Sequence, residues 1–252
     1  MVSVTLFPIA LLTLQLAAAQ TPVGLRTPVR PPEPRQEITP ELRGDIMMAR
    51  KMYREAVDFY KPGAEKNATL ANKTGIAYHQ LLDLENAKRW YRKAIKLSPQ
   101  YPEALNNLGT VYYAQKSYKR SIDQYRKALK YAPQSASVLS NLGTAYFARK
   151  KYDEALQFYE QALALNPEIF ENRSTQGSVV QERSIEEKAK FDYYLAKTYA
   201  KAGATERAIQ YIRRALEEGF REKEKFLREP DFAVLQEDPE FKRIMATEQK
   251  VL

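Results

Sequence analysis

Leu108-Gly109-Thr110-Val111-Tyr112 is followed, 34 residues on, by Leu142-Gly143-Thr144-Ala145-Tyr146. The same interval separates Gly75 from Gly109 and Tyr78 from Tyr112. It also governs what lies downstream: Ala87, Ser121 and Ala155, then Tyr91, Tyr125 and Tyr159, then Ala94, Ala128 and Ala162, and finally Pro99, Pro133 and Pro167. Recurrence at this length means one supersecondary unit used several times. Inside a unit the apolar residues fall three and four apart, the spacing of one helix face. Each closing proline lacks the amide that would carry a helix onward. The unit is therefore helix, turn, helix, stop. Its small Gly and Ala positions let two helices approach closely while the tyrosines fill the space beside them.

Leu-Gly-x-x-Tyr, then Ala-x-x-x-Tyr, then Pro at this period resembles the tetratricopeptide repeat family. The resemblance implies an all-α, right-handed superhelical solenoid of helix-turn-helix repeats with a C-terminal capping segment. It is strongest over residues 68–169, which divide into repeats at 68–101, 102–135 and 136–169. Residues 41–67 read as a degenerate first repeat, carried by Gly44, Met47, Ala56 and Tyr60. Residues 189–222 read as a degenerate last repeat, carried by Leu195, Ala196, Tyr199, Ala208, Ile212 and Ala215. Between them, residues 170–188 hold Asn172, Ser174, Gln176, Gly177 and Ser178, too polar for a core, and read as an insert loop. Residues 223–252, with Phe226, Leu227, Phe232, Leu235 and Phe241, read as the cap, because a terminal repeat otherwise leaves its apolar face in water.

Upstream, Val2 to Ala19 carries no charge, is rich in Leu and Ala, and ends in Ala17-Ala18-Ala19. Residues 1–19 thus read as a signal peptide, cleaved before Gln20. No Lys or Arg precedes the run, and Arg26, Arg30 and Arg35 follow it, which keeps an uncleaved membrane anchor as the alternative. Residues 20–40 hold Pro22, Pro28, Pro31, Pro32, Pro34 and Pro40 and read as a proline-rich linker, semi-rigid and extended. The expected location is exported, either the bacterial periplasm or secreted.

Composition narrows the chemistry. The 252 residues include no cysteine and a single histidine, His79. Disulfides, thiolate metal sites and thiol nucleophiles are excluded, and no phosphate-binding glycine loop or histidine-carboxylate constellation is present. The expectation is a protein that is not an enzyme and uses no cofactor or metal. The net charge of +9 is concentrated at Lys88, Arg89, Arg92, Lys93 and Lys96 and again at Lys119, Arg120, Arg126, Lys127 and Lys130. That favours acidic partners. Nucleic acid is disfavoured, since no recognition motif accompanies the charge, and membrane contact through the leader or the basic patches stays open.

The family resemblance further implies a non-enzymatic protein-protein interaction scaffold or adaptor, whose concave groove is built from the first helix of each unit and holds a protein or peptide segment. The repeat register puts Asn72, Ile76 and His79, then Asn106, Thr110 and Tyr113, then Ser140, Thr144 and Phe147 on that wall, with Asn141 beside them. The last repeat adds Lys190, Tyr193, Lys197 and Lys201. Asparagine amides suit the backbone of an extended ligand. Tyr113 and Phe147 read equally as anchors for a ligand or as inter-helix packing. Relatives that clamp a chaperone's carboxyl tail need Lys and Asn where Asn106 and Thr110 stand, and Arg where Tyr194 stands. Asn141 and Lys190 alone fit, so a carboxylate clamp is not implied. The alternative function is a structural subunit of an envelope assembly docking through the basic outer face, or a membrane-surface attached protein.

Overall fold

The computed structural model describes residues 38–171 and 184–247. The leader, nearly all of the proline-rich linker, most of the insert and the last five residues lie outside them. Five helix pairs follow in chain order: α1 (Pro40–Ala49) with α2 (Tyr53–Ala64), α3 (Ala68–Gln80) with α4 (Leu84–Leu97), α5 (Pro102–Ala114) with α6 (Tyr118–Tyr131), α7 (Ala136–Ala148) with α8 (Tyr152–Leu165), and α9 (Ile185–Lys201) with α10 (Thr205–Glu217). A short α11 (Lys225–Arg228), a 3-10 helix (Pro230–Leu235) and α12 (Pro239–Ala246) close the chain. From α1 to α10 each helix packs on its chain neighbours, and α3 also meets α5, as α5 meets α7. This is a helical solenoid, with no strand among the described residues.

Local chemistry explains the starts and stops. Asn67 and Ser135 accept hydrogen bonds from Leu70 N and Val138 N at the starts of α3 and α7, satisfying amides that have no partner within the helix. α5 opens on Pro102, where a missing amide costs nothing. Every first helix ends in the same turn. In the third unit Lys116 N donates to Tyr113 O and Ser117 N to Tyr112 O, and the same pair of bonds recurs at Lys51, Leu82, Lys150 and Gly203. Such a turn needs a left-handed residue, and these five have φ of 57° to 73°.

The tight approach of paired helices rests on Gly44, Gly75, Gly109 and Gly143. A Cβ at Gly109 would meet Tyr125 Cε1 at 2.5 Å, and the other three face Tyr60, Tyr91 and Tyr159 just as closely. Those four tyrosines are 0–1% exposed. The glycines are therefore sockets for rings, which is what fixes their place in the repeat.

Two boundaries differ from the sequence expectation. α9 begins at Ile185, four residues ahead of 189, because Ser184 caps it through Glu187 N and Glu186 and Glu187 occupy its first turn, where carboxylates are favoured. At the other end of the insert, Phe170 is 7% exposed and sets its ring edge-on to Tyr159 and Tyr199. It belongs to the core, so the polar stretch starts one residue later than 170.

Candidate interaction groove

The first helices α1, α3, α5 and α7 place repeat-equivalent residues side by side, and a polar ladder links them. Lys73 Nζ of α3 donates to Glu41 Oε1 and to both Asp45 oxygens of α1, each at 2.8 Å. Asn107 Nδ2 of α5 donates to Asn72 Oδ1 of α3 at 3.1 Å. Asn141 Nδ2 of α7 donates to Asn106 Oδ1 of α5 at 3.0 Å. The residue one step further along each helix thus reaches back to the preceding unit. Asn72, Asn106 and Asn141 are 3–7% exposed, and buried amides of this kind need such partners.

The ladder starts with charge. Burial alone would raise the Asp45 carboxyl, but hydrogen bonds from Lys73 and Tyr60 hold it below the ordinary carboxylate range. Lys73 is driven up despite its own burial, by the same Asp45 and Glu41 contacts. Burial lowers His79, whose Nδ1 lies 3.5 Å from Tyr91 Oη, so its neutral form is favoured on the wall.

The remaining residues assigned to the groove divide by what they touch. Thr110 and Thr144 donate to the carbonyls of Asn106 and Ser140 one turn back and accept from Tyr125 Oη and Tyr159 Oη at 3.4 Å. Both hydroxyls serve the helix pair. Tyr113 and Phe147 are 2% and 6% exposed. Tyr113 packs on Tyr118, and Phe147 on Tyr152, Phe191 and Tyr194, so these rings sit in inter-helix packing. Ile76 is half-buried on α3.

The three lysines of α9 assigned to the groove, Lys190, Lys197 and Lys201, are engaged within the molecule. Lys190 Nζ lies 4.1 Å from the centre of the Tyr152 ring. Lys201 pairs with Glu160 of α8. Lys197 bridges Glu229 and Asp231, both at 2.9 Å, while Tyr193 Oη donates to Glu229 Oε1 at 2.5 Å. Desolvation works against the Lys197 ammonium, yet the two carboxylates hold its pKa above the ordinary lysine value. The segment entering the 3-10 helix therefore lies against the face of α9 that carries Lys197 and Tyr193, its anchor being Phe226 and Phe232 packed against Tyr193. Sequence reasoning found this segment as a cap and missed Glu229 and Asp231 as partners of Lys197. They lie 32 and 34 residues away in sequence, and the only local sign is that the chain puts two acids around Pro230.

Among the described residues no group of His, Asp or Glu could hold a metal ion, and no described helix is long and apolar enough to cross a membrane.

Comparison with known proteins agrees with this architecture. Two family profiles match, Tetratricopeptide repeat over residues 100–168 and TPR repeat over residues 75–116. No curated sequence relative matches. Among solved structures, MamA is similar at 20% identity and TM-score 0.50, covering 69% of this chain and 93% of that one. MamA 41-end from Desulfovibrio magneticus RS-1 is similar at 20% identity and TM-score 0.49, covering 69% and 90%. YrrB, described as a TPR protein with an unusual peptide-binding site, gives 20% identity and TM-score 0.45 over 49% and 66%. Likeness at these identities concerns the fold. Joined to the 34-residue period and the five helix pairs, the profile matches identify residues 75–168 as tetratricopeptide repeats.

Proposed function

We propose that this chain is a non-enzymatic interaction scaffold that holds an extended protein segment against the wall formed by α3, α5 and α7. The asparagine ladder carries this reading. Each rung uses one amide hydrogen bond donor and one acceptor, and leaves Asn106 Nδ2 and Asn141 Oδ1 without a protein partner among the described residues. One donor and one acceptor fixed on neighbouring helices match the alternating groups of an extended backbone. Ile76 offers apolar contact at the same wall, and the repeat scaffold holds these groups on rigid helices.

The groove's end is closed on α9, where Glu229 and Asp231 neutralise Lys197. The segment bound between α3 and α7 is accordingly neutral, and acidic partners have no free cation to meet at Lys197. Export to a bacterial envelope is the setting that residues 1–19 support through their uncharged run and small-residue end. Fractionation of cells producing the tagged chain checks that setting, and recovery in the cytoplasm at full length would remove it.

Panning a displayed random-peptide library on the full chain tests the groove. Selected peptides are expected to lose at least about tenfold affinity with Asn106→Ala or Ile76→Glu, consistent with removal of a hydrogen bond or an apolar contact, and to bind Lys127→Glu normally. Peptides indifferent to both groove changes would overturn the proposal.

A further inference from the structure

The positive charge is unevenly placed. α4 and α6 each carry five basic residues against one acidic, whereas α8 carries three carboxylates and no basic residue. Much of the charge on α4 and α6 is internally used. Lys88 pairs with Glu85 and Lys93 with Glu65, and the guanidinium groups of Arg92 and Arg126 donate to Tyr112 and Tyr146 in the next unit. Lys96, Lys119, Lys127 and Lys130 are exposed on these helices and make no ion pair among the described residues.

Apolar side chains stand next to two of them. Leu97 follows Lys96 and is 39% exposed, and Tyr131 follows Lys130 and is 46% exposed. Leu165 occupies the same place one unit later at 45%. These three are the last residues of α4, α6 and α8. Repeat-equivalent positions form a row, so one edge of the solenoid presents lysines and large apolar groups together at regular spacing.

We infer that this edge docks on an anionic lipid surface, with Lys96, Lys127 and Lys130 against the headgroups and Leu97 and Tyr131 entering the interfacial layer. Two properties select lipid over a soluble acidic protein. Lysines gain energy near an anionic leaflet in proportion to their number, and Tyr and Leu beside them prefer the boundary between headgroup and acyl chain. An acidic chain would match the lysines and leave the apolar row in water. The contact is peripheral and involves the second helices, so it leaves the wall of α3, α5 and α7 free for a second partner.

Co-sedimentation of the full-length chain with phosphatidylcholine vesicles, with or without phosphatidylglycerol, tests this assignment. The apolar stretch at residues 1–19 is identical in every variant and contributes equally to each. Binding to anionic vesicles is expected to exceed binding to neutral ones and to fall with added salt. Each lysine strengthens such binding about fivefold, so Lys96→Glu with Lys130→Glu should weaken it by at least about thirtyfold. Leu97→Ser with Tyr131→Ser should weaken it severalfold while leaving the thermal melt in place. Equal sedimentation with neutral vesicles, or full binding by the charge-reversed chain, would overturn the inference. So would binding of soluble polyglutamate, with the same lysine dependence, by a chain that ignores anionic vesicles.

Discussion

The third unit and the fifth solve the same packing problem with different residues. In α5 and α6, Gly109 opens a socket that the Tyr125 ring fills, and the Tyr125 hydroxyl reaches Thr110. In α9 and α10 the corresponding residues are Ala196, Ile212 and Lys197, all three replaced together. Ala196 and Ile212 are both fully buried. A methyl on one helix removes room for a ring on the other, and with no tyrosine hydroxyl to meet, position 197 is free to carry a lysine that faces the cap. The junctions differ in the same way. Arg92 and Arg126 tie their units to the next through Tyr112 and Tyr146, while Glu160 stands at the equivalent place before α9 and pairs with Lys201. A cleft of about 430 Å³ lined by Glu160, Leu163, Tyr199, Lys201 and Arg207 lies at that junction. The fifth unit is thus built to end the array and receive the closing segment, not to pass on the repeat.

Moving the fifth unit's alanine into the third is the sharpest way to break this comparison. Gly109→Ala sets a methyl 2.5 Å from the Tyr125 ring, and overpacking of a full core should cost about 2–3 kcal/mol in urea unfolding. Adding Tyr125→Ile recreates the Ala196–Ile212 pair. The double variant should be more stable than the sum of the two single changes predicts by about 1 kcal/mol or more, the signature of residues sharing one space. Simple additivity would mean that the socket and the ring are independent.

The cap is next in size. Glu229→Gln with Asp231→Asn leaves the part-buried Lys197 ammonium without its charged partners, and losing charged hydrogen bonds of this kind should cost about 1–3 kcal/mol. Because the folded Lys197 pKa is raised above 10.5, its contribution is fully present below that value and is lost as pH climbs through the higher folded value. The gap in unfolding free energy between wild type and this variant should therefore hold steady across neutral pH and narrow in the alkaline range. A gap that stays constant through the alkaline range would assign the loss to packing of the 3-10 helix instead.

How far these features could be read from sequence depends on whether they recur. The solenoid, its three regular units and the Gly–Tyr pairing are legible because the same residue types return every 34 positions and each return tests the last. Register alone could place Tyr113 and Phe147 on first helices but could not choose between a ligand and Tyr118 or Phe191 as their neighbour. That depends on which rings arrive from adjacent helices. The ladder is half legible: asparagines at 72, 106 and 141 signal a polar wall, whereas their bonding to one another and to Asn107 needs the distance between neighbouring units. Lys197 marks the limit, since nothing repeats in residues 225–246 to announce which side chains will cover α9.

The junction contrast predicts a smaller effect. Arg126→Gln removes a charged donor from Tyr146 Oη and a guanidinium 5.8 Å from that ring's centre, worth about 1 kcal/mol together. Glu160→Gln gives up one exposed-side ion pair with Lys201 and should change stability by about 0.5 kcal/mol or less. Thermal unfolding of the two variants side by side tests the order. If Glu160→Gln proves the more damaging, the α8–α9 junction is held by its charges and the arginine bridges are incidental.

The turn after each first helix gives the last contrast, and it has a sign. Lys116 holds φ at 57° where the fifth unit has Gly203 at 73°. A residue with a Cβ loses roughly 1–2 kcal/mol in that region, while glycine has none of that strain and instead loses about 0.5–1 kcal/mol of chain entropy on folding. Lys116→Gly should therefore stabilise the fold by about 0.5–1 kcal/mol, and Gly203→Ala should destabilise it by a similar amount even though an added Cβ there meets nothing within 4 Å. The two measurements separate backbone strain from crowding. Were Gly203→Ala neutral, the left-handed turn would be costless to either residue and the lysines at 51, 116 and 150 would need no compensation from the packing around them.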